Sequence, residues 1–241
     1  SHYRLFSFGD LGMNESAIAK ITSALHRSYG MILSTGPTGS GKTTSIYAML
    51  QILNVREKNI TTIEDPVEYR IKGVNQIQVN AKTNLTFASG LRSLLRQDPN
   101  IVFVGEIRDA ETAGIAINAA LTGHLVVSTL HTNDAATTLP RLTDMNIEPF
   151  LVASSVSLIV AQRLVRKICD YCRVSMVITE NELKKSLPES IINKHYIPVG
   201  ENREIRVYKG QGCKNCRNTG CAGRVGLFEI LEISKEIRKL I

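Results

Sequence analysis

The chain predicts an α/β fold with a mostly parallel central sheet and a second, smaller, cysteine-bearing part. Three observations carry this. Apolar runs of strand length alternate with helical patterns over the first two thirds of the 241 residues. A glycine-rich string lies between one such run and the helix after it. All five cysteines fall in the last third.

Each element has its own reason. Asn14 caps a helix whose Ile18, Ile21 and Leu25 share one face, and Gly30 follows its end. Met31 to Thr35 is a short apolar run, read as a buried strand, and residues 42–53 form the helix after the glycine-rich turn. Ile60 to Ile63 reads as a second strand and Phe87 to Arg96 as a helix with Leu91, Leu94 and Leu95 inward. Ile101–Val104 and Leu125–Thr129 are apolar or β-branched throughout, as parallel strands covered on both faces are. Between them Ala110–Leu121 is an alanine-rich helix capped by Asp109. The run FLVASSVSLIVAQRL, residues 150–164, reads as helical, and a last helix starts at Lys235.

Composition excludes several classes. At 43% hydrophobic and 21% charged residues, the chain is neither disordered nor fibrous. The longest uncharged stretch, Thr112–Asn133, is broken by Asn118, Thr122, His124, Ser128 and His131, so it is no membrane span. The opening residues show no signal-peptide pattern. The net charge of +7 is unevenly placed: residues 1–160 hold 13 basic and 13 acidic side chains, and residues 161–241 hold 16 and nine. That shift marks a boundary near Arg163. The expected organisation is a core at 1–165, with 1–13 a remnant of a preceding domain or linker, a cysteine subdomain at 166–224, and a return segment with a truncated helix at 225–241.

Gly36-Pro37-Thr38-Gly39-Ser40-Gly41-Lys42-Thr43 matches G-x-x-x-x-G-K-[ST] in the strand–turn–helix context the motif needs, and Thr44 continues it. Glycines let the backbone wrap a phosphate, and successive N–H groups at the helix N-terminus face the anion. Lys42 would reach the terminal phosphates and the Thr43 hydroxyl would ligate Mg²⁺. The guanine-reading Asn-Lys-x-Asp string is missing; its nearest approach, Asn193-Lys194-His195-Tyr196, lacks the aspartate, so ATP is the expected nucleotide.

Further chemistry gathers at strand ends, where an open α/β sheet places its site. Glu64, Asp65 and Glu68 follow the second strand, and Ile101–Val104 leads through Gly105 to Glu106. His124 and His131 flank the last apolar strand. Singly, each reads as a solvated loop carboxylate or a structural histidine; behind a phosphate loop they read as a site.

Cys169-x-x-Cys172 and Cys213-x-x-Cys216 are two knuckles that together suit a tetrahedral Zn²⁺. Two disulfides, or one redox Cys-x-x-Cys, are the alternatives. A chain with a phosphate loop and no signal peptide favours the metal. Cys221 reads as a free thiol in a small pocket.

The strings GPTGSGKTT, TTIEDPVEY and LRSLLRQDPNIVFVGEIRDAETAGIAINAALTGHLVVSTLHTNDA, with the downstream cysteines, resemble the secretion ATPases that power type II secretion and type IV pilus assembly. The resemblance runs from about Leu11 to the C-terminus. It implies a RecA-like P-loop ATPase core with a Walker A loop, an Asp box, an atypical Walker B and a His box. By position, Glu106 matches the glutamate that polarises the attacking water, and Gly105 stands where many such enzymes carry a Mg²⁺-linked aspartate. Glu64 would then give the metal outer-sphere support. His131, with His124, would sense the γ-phosphate, and Arg92, Arg96 and Arg108 are candidate charge stabilisers. The resemblance also implies ATP, Mg²⁺ and Zn²⁺ as cofactors. It implies a hexameric, cytoplasmic ring, docked on an inner-membrane platform protein with peripheral membrane contact, and no nucleic acid. The tetracysteine module selects the assembly and secretion branch, since retraction ATPases lack it. The chain begins where the family's N-terminal domain would be ending, so it is expected to bind ATP but hydrolyse it slowly and form a ring poorly. A nucleic-acid motor and a non-hydrolysing adaptor are the competing readings; the first lacks aromatics interleaved with its basic residues.

Overall fold

A computed structural model describes residues 6–196 and 204–241. The opening five residues of the 1–13 segment and residues 197–203 of the cysteine subdomain lie outside these. The chain divides into two compact units, one of residues 1–164 with 226–241 and one of residues 165–225.

In the first unit, α1 (Glu15–Leu25) is capped by Asn14, whose Oδ1 accepts from the Ala17 N–H at 2.8 Å. Then follow β1 (Gly30–Thr35), α2 (Lys42–Leu53), β2 (Ile60–Glu64), β3 (Asn75–Gln78), α3 (Phe87–Leu95) and β4 (Ile101–Val104). After them come α4 (Ala110–Leu121), β5 (Leu125–Leu130), α5 (Thr138–Asp144), α6 (Pro149–Ser155) and β6 (Val156–Ile168). The sheet order is β3-β2-β4-β5-β1-β6-β9, with β9 spanning Cys221–Glu232 and α9 (Lys235–Arg238) after it. β1 lies parallel to both β5 and β6, and β4 parallel to β2 and β5.

Strand alternation divides the core into two layers. Met31 and Leu33 face one cluster with Leu91, Ala116 and Ile159; Ile32 faces the other with Ile46, Tyr47 and Phe103. Tyr47 and Phe103 are fully buried edge-to-face, 6.3 Å between centroids. Each such burial contributes about 1.5–3 kcal/mol.

The run at 150–164 is corrected. Its first part is the short helix α6, but Val156 onward is strand, with Leu158, Ile159 and Val160 opposite Ile32, Leu33 and Ser34 of β1. A short apolar run fits a buried helix or a buried strand equally well, and pairing with β1 decides it. The final helix is also shorter than expected, closing at Arg238.

The second unit is built on the antiparallel pair β7 (Arg173–Thr179) and β8 (Glu204–Gly210), with α7 (Glu180–Lys184) and α8 (Glu189–His195). Its apolar centre is small: Leu183, Ile192 and Ile205, with Ile178 and Val207 packed against them.

Candidate functional site

In the first unit Asn14, Thr86, Asp109 and Ser234 cap α1, α3, α4 and α9, each accepting an N–H of the first turn. α2 lacks such a cap. Its cap residue is Gly41, no side chain caps its first-turn N–H groups, and no acidic residue stands there. The free N–H groups and the positive end of the helix dipole are therefore left for an external anion.

The loop before α2 is shaped for close approach. Gly36, Gly39 and Gly41 have φ of 143°, 76° and 89°, and Pro37, Thr38 and Gly39 form its exposed tip. Ser40 is buried with an unpartnered hydroxyl, and Thr43 and Thr44 are half-buried in the first turn. The Lys42 ammonium donates to the carbonyls of Gly36 and Pro37 at 2.8 and 3.1 Å. Burial pushes its pKa down, and the negative charge of Glu106 pulls it partly back.

Glu106 follows β4, its side chain only 12% exposed. Its Oε1 pairs with Arg108 at 2.5 Å, and its Oε2 faces His131 Nε2 at 3.4 Å. Arg108 is held above its ordinary range by the hydrogen bond and charge of Glu106. His131 follows β5, which lies between β1 and β4. The loop after it is anchored on three sides. Thr35, the last residue of β1, bonds Thr132; Glu229 accepts the Ala135 N–H at 3.0 Å; Arg163 donates to the Asn133 carbonyl at 3.4 Å. Glu106, Arg108 and His131 thus meet at the C-terminal ends of β4 and β5, the same side of the sheet on which β1 leads into the loop of Lys42.

Glu64 is 2% exposed, and its oxygens accept from Tyr47, from Thr62 at 2.5 Å and from Gln76 at 3.2 Å. One acceptor site remains, enough for a water but not for bidentate metal ligation. Gly105 lies beside it: a Cβ there would stand 3.2 Å from the Glu64 Cα and the Ile63 oxygen. A branched carboxylate at position 105 would crowd β2, which accounts for the glycine.

Three of the sequence candidates are not brought to the loop. His124 precedes β5, at the opposite edge of the sheet from His131, and its Nδ1 meets the Ala119 carbonyl at 3.1 Å. A strand has two ends, and only one carries the site. Arg92 pairs with Glu111 of α4 at 2.7 Å. Arg96 ends α3 and reaches Ser93 at 3.4 Å. Tyr47 and Gln76 were not anticipated; they hold Glu64 from α2 and β3, which local sequence does not bring together.

In the second unit the Sγ atoms of Cys169, Cys172, Cys213 and Cys216 lie within 4.8 Å of one another. The measured separations are 3.9 Å (Cys169–Cys213), 3.8 Å (Cys172–Cys216) and 3.7 Å (Cys213–Cys216). A tetrahedron with Zn–S of about 2.3 Å has edges of about 3.8 Å. A disulfide needs about 2.05 Å, and all five cysteines are free. The Cys213 and Gly220 N–H groups donate to the Cys216 sulfur at 3.2 and 3.3 Å. Burial pushes that thiol up, but these N–H groups, together with hydrogen bonds from the Cys213 and Cys172 thiols, more than offset it and bring it down to about 6. The donor set is compatible with zinc. Cys221 stands apart from the cluster, half-buried.

The strand order, with β5 between the phosphate-loop strand β1 and the carboxylate strand β4, defines a RecA-like P-loop ATPase core joined to a four-cysteine subdomain. A family model described as type II/IV secretion system protein matches residues 1–241, and the chain belongs to that family. It is similar to the type IV pilus assembly ATPase PilB of Acinetobacter baylyi, 49% identical over 233 residues, covering 96% of this chain and 38% of the relative. Against the type II secretion system protein E of Dickeya dadantii, identity is 48% over 231 residues, covering 96% and 44%. Among solved structures, the pilus retraction motor PilT with bound ADP matches with a TM-score of 0.68 and 32% identity, over 98% of this chain and 56% of that one. The ATPase DotB of Legionella pneumophila gives 0.64 and 25%, over 98% and 53%. The chain thus spans less than half the length of these two curated relatives. Among the described residues, no helix is long and apolar enough to cross a membrane.

Proposed function

We propose that the chain is the catalytic portion of an ATP-hydrolysing motor for type IV pilus assembly or type II secretion. The single observation that supports this most is the uncapped N-terminus of α2 after β1, with Glu106 and His131, 3.4 Å apart, at the same ends of the neighbouring strands β4 and β5. The loop N–H groups and Lys42 bind the phosphates. Glu106 takes a proton from water as the water oxygen attacks the γ-phosphorus and the bond to the ADP oxygen breaks. His131 reads the γ-phosphate from the strand end. Mg²⁺, held by the Thr43 hydroxyl with Glu64 behind a water, would neutralise charge on the phosphates.

Turnover by these 241 residues alone is slow in this reading. Arg108 is engaged by Glu106, and Arg92 and Arg96 are held elsewhere. A ring of six subunits, cytoplasmic and docked on an inner-membrane platform protein, would supply the missing arginines in trans. Zn²⁺ would be held by the thiolates of Cys169, Cys172, Cys213 and Cys216 and would play a structural part. Of the basic residues of the second unit, Lys184 is bound by Glu180 and Glu189 at 2.9 Å each. Lys185 and Arg206 are exposed and suit contact with an acidic partner or the anionic leaflet.

Phosphate release should rise when the cytoplasmic domain of a platform protein is added and ignore DNA. Stimulation by DNA alone would favour the nucleic-acid motor instead.

A further inference from the structure

Two of the loop's glycines also lie against Gln162, 126 positions after Gly36 and 121 after Gly41. A Cβ on Gly36 would lie 2.3 Å from the main-chain oxygen of Gln162, and one on Gly41 would lie 2.7 Å from the Gln162 Nε2. Gln162 is 3% exposed on β6, the strand beside β1, where Thr35 pairs with Ala161. Its Oε1 accepts the hydroxyl of the fully buried Ser45 at 2.7 Å. The Ser45 N–H in turn donates to the Gly41 carbonyl at 3.1 Å. One residue thus meets the loop at its first glycine, at its last glycine and through the first turn of α2.

We infer that Gln162 is the positioning residue of the phosphate loop, acting through Gly41 and Ser45. The motif itself requires no such partner: glycines and lysine suffice to wrap a phosphate. What β6 adds is a fixed strand behind the loop. The carboxamide carries a donor and an acceptor in one planar group, so it bonds Ser45 on one side while filling the space beside Gly41 on the other. Without it the buried Ser45 hydroxyl loses its partner, and the turn at Gly41 loses the wall that defines it. The loop's N–H groups then no longer point to one place, which weakens the binding of a polyphosphate more than it weakens the fold.

The inference rests on the nucleotide reading above, and one experiment separates the two. MgADP is titrated into the 241-residue chain and into Gly41→Ala, Gln162→Ala and the double variant. Backbone strain at φ 89° is common to both backgrounds and cancels, whereas the collision with the amide exists only when Gln162 is present. The affinity loss caused by Gly41→Ala should be about tenfold smaller in the Gln162→Ala background. Losses that simply multiply would overturn the role of Gln162. Should Gln162→Ala fail to fold, Gln162→Glu keeps the shape and the acceptor for Ser45 but sets a negative charge beside the anion site. It should weaken MgADP about tenfold in protein whose unliganded melting transition shows that it is folded. Unchanged MgADP affinity in that variant would equally remove Gln162 from its role. A wild-type chain that binds no MgADP contradicts the nucleotide reading itself.

Discussion

The two units are held together by different physics. The first has a seven-stranded sheet with an apolar layer on each face, and β1, β2, β4 and β5 are buried from end to end. Among its described residues, the second has three buried apolar side chains besides its cysteines, and a two-stranded sheet. A core that small does not offset the entropy of ordering some sixty residues. The four sulfurs at tetrahedral spacing are what the second unit has instead. A nucleotide site built on the first unit should therefore survive removal of a metal held by those sulfurs.

The largest effect that could break this contrast is metal removal. Chelation, or Cys213→Ser, should unfold the second unit, since a structural zinc is worth about 10–16 kcal/mol of apparent binding energy. Hydrogen exchange should show amides of residues 165–225 losing protection while β1, β4 and β5 keep theirs. Equal loss in both units would mean that the first also depends on the metal. Phe103→Ala tests the opposite dependence. It should cost the first unit about 3–5 kcal/mol in denaturant unfolding, with zinc content unchanged.

A smaller effect sharpens the account of the first unit's buried polar groups. Burial, then the hydrogen bond and charge of Glu64, push the Tyr47 pKa well above its ordinary value. The folded state therefore holds the phenolic proton more tightly than the unfolded one, and stability falls as pH rises above about 10. Tyr47→Phe should cost about 1–3 kcal/mol at pH 7 and flatten that alkaline loss. Urea titrations across pH 7–11 measure both. Smallest is Asn14→Ala, about 1 kcal/mol from one lost cap, read as a lowered urea midpoint.

What the sequence showed depended on how local each feature is. The phosphate loop, the β4–Glu106 string and the two Cys-x-x-Cys pairs are contiguous, and their chemistry is written in spacing. Helix caps at Asn14 and Asp109 are equally local, and both bonds are present. Long-range pairing was not legible. Val156–Ile168 became a strand because β1 lay beside it, and β3, β7, β8 and β9 carry no alternation strong enough to announce themselves. The same holds for side chains. Glu106 stands out at the end of an apolar strand, but Tyr47, Gln76, Gln162 and Glu229 acquire roles only once distant elements meet. His124 misled for the converse reason: it is close to His131 in sequence, yet a full strand apart in space.

The central claim is that Glu106 activates water beside a loop that binds ATP independently of it. The most direct measurement incubates Glu106→Gln with radiolabelled MgATP and follows bound nucleotide and released phosphate together. The account predicts retained ATP binding with hydrolysis reduced by about 10²–10⁴-fold. Phosphate release at the wild-type rate would contradict it.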